Sequence, residues 1–316
     1  MKSLIAVLLA LFSTVSSAQS YPVKPVRLII PFPPGGSNDV VGRSIGQQLG
    51  ERLGQSVVID NKGGAGGIIG TNEAAKAAPD GYTLLLISTA FPTSIAFHRL
   101  PHDALKSFEP VAMLGSGPAL LVVPASSPAN SVKDLLEALR QKPGQLNAAA
   151  AGIGSFQHMA TELFRLQSKT NFVIVQYKGG GPAMTDTIAG QVQFNLGSLV
   201  QMVPHVRSGK LKALGVSSGK RVGALPEVPT IAESGVPDFE VSNWWGILAP
   251  AGTPAAVLDK LNKEITAILD SPETRRRFEL EGAEVVRMRG MEFAAFVTRE
   301  TEKWTRVVKE AGIKPE

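Results

Sequence analysis

The 316-residue chain contains no cysteine. That absence excludes disulfides, thiolate metal sites, iron–sulfur clusters and a cysteine nucleophile, so stability has to come from packing alone. Aromatic residues are scarce, at 6%. The interleaved basic and stacking side chains that grip nucleic acid are therefore missing, and no nucleic-acid partner is expected. Neither charge sign dominates: 32 Lys and Arg stand against 27 Asp and Glu, for a net +5. The basic residues are scattered, densest at Arg275–Arg277, and a mild positive balance favours encounter with small anions. The one apolar run that stands out at the N-terminus, Leu4–Phe12, is too short to span a bilayer.

That run follows Lys2 and is succeeded by small residues ending at Ser16 and Ala18. This is the three-part layout of a secretory signal. Residues 1–18 are expected to be a signal peptide, and the mature chain is expected to begin near Gln19, exported and soluble.

Beyond the signal, short apolar runs alternate with helical periodicity. Val26–Pro31 (VRLIIP) reads as a strand buried on both faces. Val41, Ile45, Leu49 and Leu53 predict a helix with one apolar side. Strands are expected at Ser56–Asp60 and Tyr82–Ile87, with a helix ending over Asn72–Ala78 between them. Such alternation predicts a mostly parallel sheet covered by helices. A second set begins near Ala119–Pro124. There Ser131 and Asp134 form a capping-box variant ahead of Leu135, Leu136 and Leu139. Strands at Gln145–Ala150, Phe172–Tyr177, Val192–Leu196 and Leu211–Val216 alternate with helices at Phe156–Gln167, Ala183–Ala189 and Val200–Arg207. The first pattern returns at Trp244–Ala249, followed by helices over Ala255–Asp270, Glu273–Glu281 and Met291–Ala311. The expected fold class is α/β, with two α/β lobes around a ligand cleft. Residues 19–123 and 226–316 form the first lobe, and 124–225 the second.

The segment with most chemical content is PFPPGGSNDVVGR, Pro31–Arg43, where a strand ends and a helix begins. Pro33 and Pro34 stiffen the entry, Gly35 and Gly36 permit the turn, and Ser37 or Asn38 is placed to cap the helix. Free N–H groups at such a helix start suit an anion. An ordinary capped turn accounts for the fragment equally well, and Asp39 in the first helical turn reads more readily as a dipole-stabilising residue than as a ligand contact. The phosphate loop of nucleotide enzymes is absent, because no Lys followed by Ser or Thr succeeds the glycines. Lys62–Gly70 (KGGAGGIIG) departs from the dinucleotide fingerprint at Ile69, where its third glycine belongs. Two further glycine-rich turns, Ala151–Ser155 and Tyr177–Pro182, also precede helices, and Ser88–Ala90 ends a strand. No catalytic constellation is recognised. His98, His102, His158 and His205 are assigned no metal, and a packing role is expected for His158. No cofactor is expected.

These stretches resemble the extracytoplasmic solute receptors of tripartite tricarboxylate transporters, the Bug receptors. The likeness is carried by residues 21–43, 57–86, 150–164, 177–192 and 244–254, and with the intervening spacing it covers nearly all of the mature chain. The resemblance implies a type II periplasmic-binding-protein fold and a periplasmic, monomeric receptor without catalysis. It implies capture of a small carboxylate (mono-, di- or tricarboxylic) and delivery to membrane permease subunits. Carried over by position, it implies a ligand site at Pro33, Pro34, Gly35, Gly36, Ser37, Asn38 and Asp39, at Ser88, Thr89 and Ala90, at Gly152, Ile153, Gly154 and Ser155, and at Tyr177, Lys178 and Gly179. Where many relatives read M-F-D-N, this chain has Asn195-Leu196-Gly197-Ser198. An amine-bearing ligand is thus less expected, and Gly197 and Ser198 remain cleft candidates. A ligand sensor for a membrane kinase and, less favoured, a periplasmic enzyme are the alternatives.

Overall fold

The computed structural model describes residues 21–97, 103–310 and 312. The expected signal peptide, His98 and His102 lie outside the described residues. In chain order the first sheet opens with β1 (Val26–Ile30), α1 (Ser37–Leu53), β2 (Val57–Asn61), α2 (Ile68–Ala75), β3 (Thr83–Ser88) and α3 (Ala90–Phe97). A long strand, β4 (Phe108–Pro124), then leads to α4 (Val132–Gln141), β5 (Asn147–Ala150), α5 (Phe156–Ser168), β6 (Val173–Gln176), α6 (Gly180–Ile188), β7 (Phe194–Ser198), α7 (Leu199–Arg207) and β8 (Leu211–Val216). The return comprises β9 (Ser242–Pro250), α8 (Ala255–Asp270), α9 (Pro272–Leu280), β10 (Glu284–Val285) and α10 (Gly290–Glu310).

The strand order is β2-β1-β3-β9-β4-β7-β5-β6, with β8 and β10 also pairing on β4. The expectation of a mostly parallel sheet holds only toward the two ends, where β1 pairs with β2 and β3, and β5 with β6 and β7. Every pair made by β4 or β9 is antiparallel. The physical reason is that these two strands carry the chain out to the second lobe and back, so they run in opposite directions. The sequence predicts only the last third of β4, because Pro110, Gly115, Gly117 and Pro118 look like turn signals. Instead, β4 shifts register against β9 between Pro110 and Ala112 and between Met113 and Gly115, so a proline and a glycine sit at irregularities where strands tolerate them.

Alternation along β1 explains why its five residues are all apolar apart from Arg27. Val26, Leu28 and Ile30 enter one core with Val41, Ile45 and Leu49 of α1 and Leu261 and Ile265 of α8. Ile29 points the other way, into a core with Leu85, Trp244 and Phe293. Each fully buried side chain of this kind is worth about 1.5–3 kcal/mol, so two of them match a typical disulfide of about 2–4 kcal/mol. The second lobe has its own core around Phe164, Phe172, Phe194 and Phe239. Ile231, Val236 and Val241 also pack there, just before β9 returns. Helix α10 ties the lobes together. Phe293 and Val297 lie in a first-lobe core, whereas Trp304 and Val308 lie in the second-lobe core. Between them Glu300 Oε2 accepts the indole N–H of both Trp244 (3.2 Å) and Trp304 (3.1 Å).

Candidate functional site

The N-termini of α1, α3, α5, α6 and α7 converge on one small cavity between the lobes. Gly36, Ser37 and Asn38 line it from the start of α1, Ala90 from α3, and Ser155, Phe156 and Gln157 from α5. Gly180 opens α6 and Ser198 precedes α7. Each helix brings the positive end of its dipole, roughly +0.5 of an elementary charge. Among the described residues, none that lines the cavity is charged. The N–H groups of Gly36, Ser37 and Asn38 have no acceptor among the described residues. An anion is the species such a space stabilises.

Side chains around the cavity fix its shape. Asn38 Nδ2 donates to Ser88 Oγ at 3.2 Å, and Asn243 bridges the Thr89 N–H and Ser37 Oγ, both at 3.4 Å. Gln157 donates to Asn195 Oδ1 at 3.0 Å, and Gln201 to the Gly180 carbonyl at 2.8 Å. The Ser198 hydroxyl lines the cavity, is buried, and has no partner among the described residues. Buried hydroxyls normally find partners, so a ligand atom there would complete it.

Asp39 does not face the cavity. Its carboxylate accepts the Gly35 N–H at 3.0 Å and donors from Arg43 and Asn61, each at 3.0 Å. Burial pushes this carboxyl up, and the three donors outweigh it, so its pKa lies below the ordinary value. One N–H of the Pro33–Asp39 turn is thereby consumed. In the second lobe Ser155 caps α5 by accepting the His158 N–H at 3.1 Å, and His158 Nδ1 accepts the Gly154 N–H at 3.2 Å. Burial, helped by the Arg165 charge, lowers the His158 pKa to about 4, which makes it a neutral acceptor near pH 7.

The lobes touch directly across this region. A Cβ on Gly181 would lie 2.4 Å from the Pro34 carbonyl oxygen, and one on Gly179 would lie 2.7 Å from Pro33 Cδ. Thr93 Oγ1 on α3 donates to the Gly154 carbonyl, and the Phe97 and His158 rings are 5.9 Å apart. Outside this seam is a larger chamber. It is lined by Pro33 and Pro34, by the loop over Gly63–Gly67, by Gly152 and Ile153, and by Tyr177 and Lys178.

The residues singled out from the sequence thus separate into groups. Gly36, Ser37, Asn38, Ser88, Ala90, Ser155 and Ser198 line the inner cavity. Pro33, Pro34, Gly152, Ile153, Tyr177 and Lys178 line the outer chamber. Gly35, Asp39, Thr89, Gly154, Gly179 and Gly197 line neither and shape the walls. Gly197 is one such wall, since a Cβ there would meet Gln157 Nε2 at 2.6 Å. Sequence reasoning misses Phe32, Gln157, Gln201 and Asn243. The two glutamines had a usable signal, lying two and three residues after the helix-capping positions Ser155 and Ser198. The sequence also holds a nucleophile-elbow pattern, Gly215–Gly219, which carries no chemistry. Its Ser217 is buried, accepts the Ala119 N–H at 2.7 Å and donates to the Val241 carbonyl at 2.5 Å. Among the described residues no group of His, Asp and Glu has the makings of a metal site, and no helix is long and apolar enough to cross a membrane.

Known proteins share this architecture. A family model described as the tripartite tricarboxylate transporter family receptor matches residues 41–313. Protein BugT of Bordetella pertussis is 38% identical, over 94% of this chain and 92% of its own. The solved periplasmic binding protein BugD is 36% identical with a TM-score of 0.89, over 94% of this chain and 100% of that one. A protein of R. palustris solved with adipate is 34% identical with a TM-score of 0.90, over 94% and 100%. MatC from Rhodopseudomonas palustris, solved with bound malate, is 34% identical with a TM-score of 0.85, over 91% and 100%. This chain has the bilobed fold of those binding proteins and belongs to the receptor family of the tripartite tricarboxylate transporters.

Proposed function

We propose that this protein is a periplasmic receptor that captures a small mono-, di- or tricarboxylic acid and hands it to membrane permease subunits. It acts as a monomer and without chemical turnover. One observation carries this reading: helix N-termini from both lobes meet at a cavity that no charged side chain lines among the described residues. A carboxylate there takes backbone N–H groups and dipoles as its counter-charge. Hydrogen bonds to a charged acceptor are worth about 1.5–3 kcal/mol each. The relatives solved with adipate and malate support the same ligand class. The signal-like segment at residues 1–18 supports export. In this reading residues 19–123 and a return segment make the first lobe and 124–225 the core of the second. The packing of Ile231, Val236 and Val241 favours placing the return at β9.

Thermal-shift screening against mono-, di- and tricarboxylates, aromatic acids included, tests the proposal. A true ligand at a hundredfold excess over its Kd adds about 2.7 kcal/mol of stability and visibly raises the Tm. If no acid moves the Tm at millimolar concentration, carboxylate capture is wrong. Recovery of the ligand unchanged after long incubation is the outcome expected of a receptor, and turnover would point to an enzyme.

A further inference from the structure

The inner cavity measures about 40 Å³. A single water needs roughly 10–15 Å³ by this measure, so the space accepts little more than one acid group. The chamber outside it measures about 670 Å³, within the range of roughly 300–1,000 Å³ that small-molecule sites occupy. The two spaces adjoin, because Phe32 and Ala151 line both. Phe32 also borders a third, much smaller space toward Thr71 and Ile87. Its half-buried ring is backed by Gly67, where a Cβ would stand 3.3 Å from the ring edge. Gly67 has φ 102, a conformation other residues rarely adopt, so the space behind the ring stays clear.

The two spaces differ in chemistry as well as size. The inner one offers helix dipoles and neutral amides and hydroxyls. The outer one offers Phe32, Pro33 and Pro34 from the first lobe and Ile153 and Tyr177 from the second, with Lys178 as the one cationic side chain among the described residues that line it. A compact acid with several charges would crowd them into a cavity sized for one. An acid with an apolar body leaves its charge at the helix ends and lays its carbon skeleton against these rings and aliphatic groups.

We infer that Phe32 divides one continuous ligand site into a head-group cavity and a body chamber, and that the ligand is an elongated carboxylate with an aliphatic or aromatic body. This deepens the carboxylate reading above and rests on it. As the lobes close, Phe32 bears on the neck between the acid group and the body, so its size determines which acids fit.

Isothermal titration of the purified protein with acetate, hexanoate, phenylacetate, 4-phenylbutyrate and citrate tests the inference. Hexanoate and the phenyl acids are expected to bind at least tenfold more tightly than acetate or citrate. Phe32→Trp is expected to weaken the elongated acids at least tenfold, and Phe32→Ala to shift the preference toward acids that are bulky next to the carboxyl group. Ile153→Asp, with circular dichroism as a check on folding, is expected to weaken the phenyl acids more than acetate by repelling the body from a second wall. Compact acids binding as tightly as elongated ones, or an unchanged ranking across the variants, would overturn the inference and leave carboxylate capture standing. No binding by any acid in the wider screen would overturn both.

Discussion

Two turns flank the inner cavity, one from each lobe, and in each a left-handed glycine donates its N–H to the side chain four residues on. Gly35 (φ 84) donates to Asp39 Oδ2, and Gly154 (φ 75) to His158 Nδ1. The backbone device is the same and the acceptor differs. Asp39 is ionised, and Arg43, half-exposed to water, balances it at 3.0 Å. His158 sits in the seam against Phe97 of the other lobe, where burial keeps it neutral. An ion is tolerated where a solvated partner reaches it, and a neutral ring serves at the seam, where the carboxylate 3.7 Å from its Nε2, Glu162, is already paired with Arg165. Each turn also withholds from a ligand one N–H, already taken by its own side chain.

The largest effect is expected from Asp39→Ala. It strands the Gly35 N–H and takes from Asn61 Nδ2 one of its two acceptors, the Phe32 carbonyl being the other, and leaving buried polar groups unpaired costs about 1–3 kcal/mol. Urea unfolding should show a loss of about 2–3 kcal/mol, with carboxylate affinity down at least tenfold. A change under about 0.5 kcal/mol would mean the turn holds its shape without the carboxylate.

The pH response separates the two acceptors. The His158 pKa falls from 6.5 to about 4 on folding, so between those values the unfolded chain binds a proton that the folded one refuses. Its contribution to stability is complete above pH 6.5 and shrinks as the pH falls toward 4. The Asp39 pKa is lowered from 3.8, so its contribution is lost only below about pH 4. His158 by itself should lower stability by about 2 kcal/mol between pH 7 and pH 5, and His158→Asn, which keeps an acceptor for Gly154, should flatten that slope. Glu162, raised by burial against the pull of Arg165, has the opposite slope and remains in the variant. Because Glu162 Oε1 lies 3.7 Å from His158 Nε2, the difference between the two proteins reports His158 together with its effect on Glu162. Parallel slopes would assign the acid sensitivity elsewhere.

A smaller effect is expected where the turns meet rather than within them. In Gly181→Ala the new Cβ would stand 2.4 Å from the Pro34 oxygen, and backbone at that distance cannot yield, so the lobes are held apart. Affinity should fall about tenfold, equal to about 1.4 kcal/mol, while unfolding in urea changes by less than about 1 kcal/mol. Undiminished affinity would show that closure does not pass through this contact.

Much of the fold was legible because its signals are local. Helix α8 follows from Val257, Leu261, Ile265 and Ile268 with its limits as predicted, and the Ser131 cap of α4 accepts the Asp134 N–H as the spacing implies. Helix α3 was not foreseen, since AFPTSIAF has an inner proline and no polar face, and it forms because both lobes bury it. Of the glycines in the first turn, only Gly35 needs its left-handed freedom; Gly36 is extended, at φ −85.

Sequence alone is enough for the family, for most of the strands and helices apart from α3 and the first two thirds of β4, and for the glycine-rich turns. Those properties depend on residues near one another in the chain. The tertiary structure adds which N–H groups lack an acceptor among the described residues, that Asp39 and His158 brace their turns, and that Phe32, Gln157, Gln201 and Asn243 line the inner cavity. These depend on groups brought together from distant segments, where burial and hydrogen-bond partners, not residue type, settle what a side chain does.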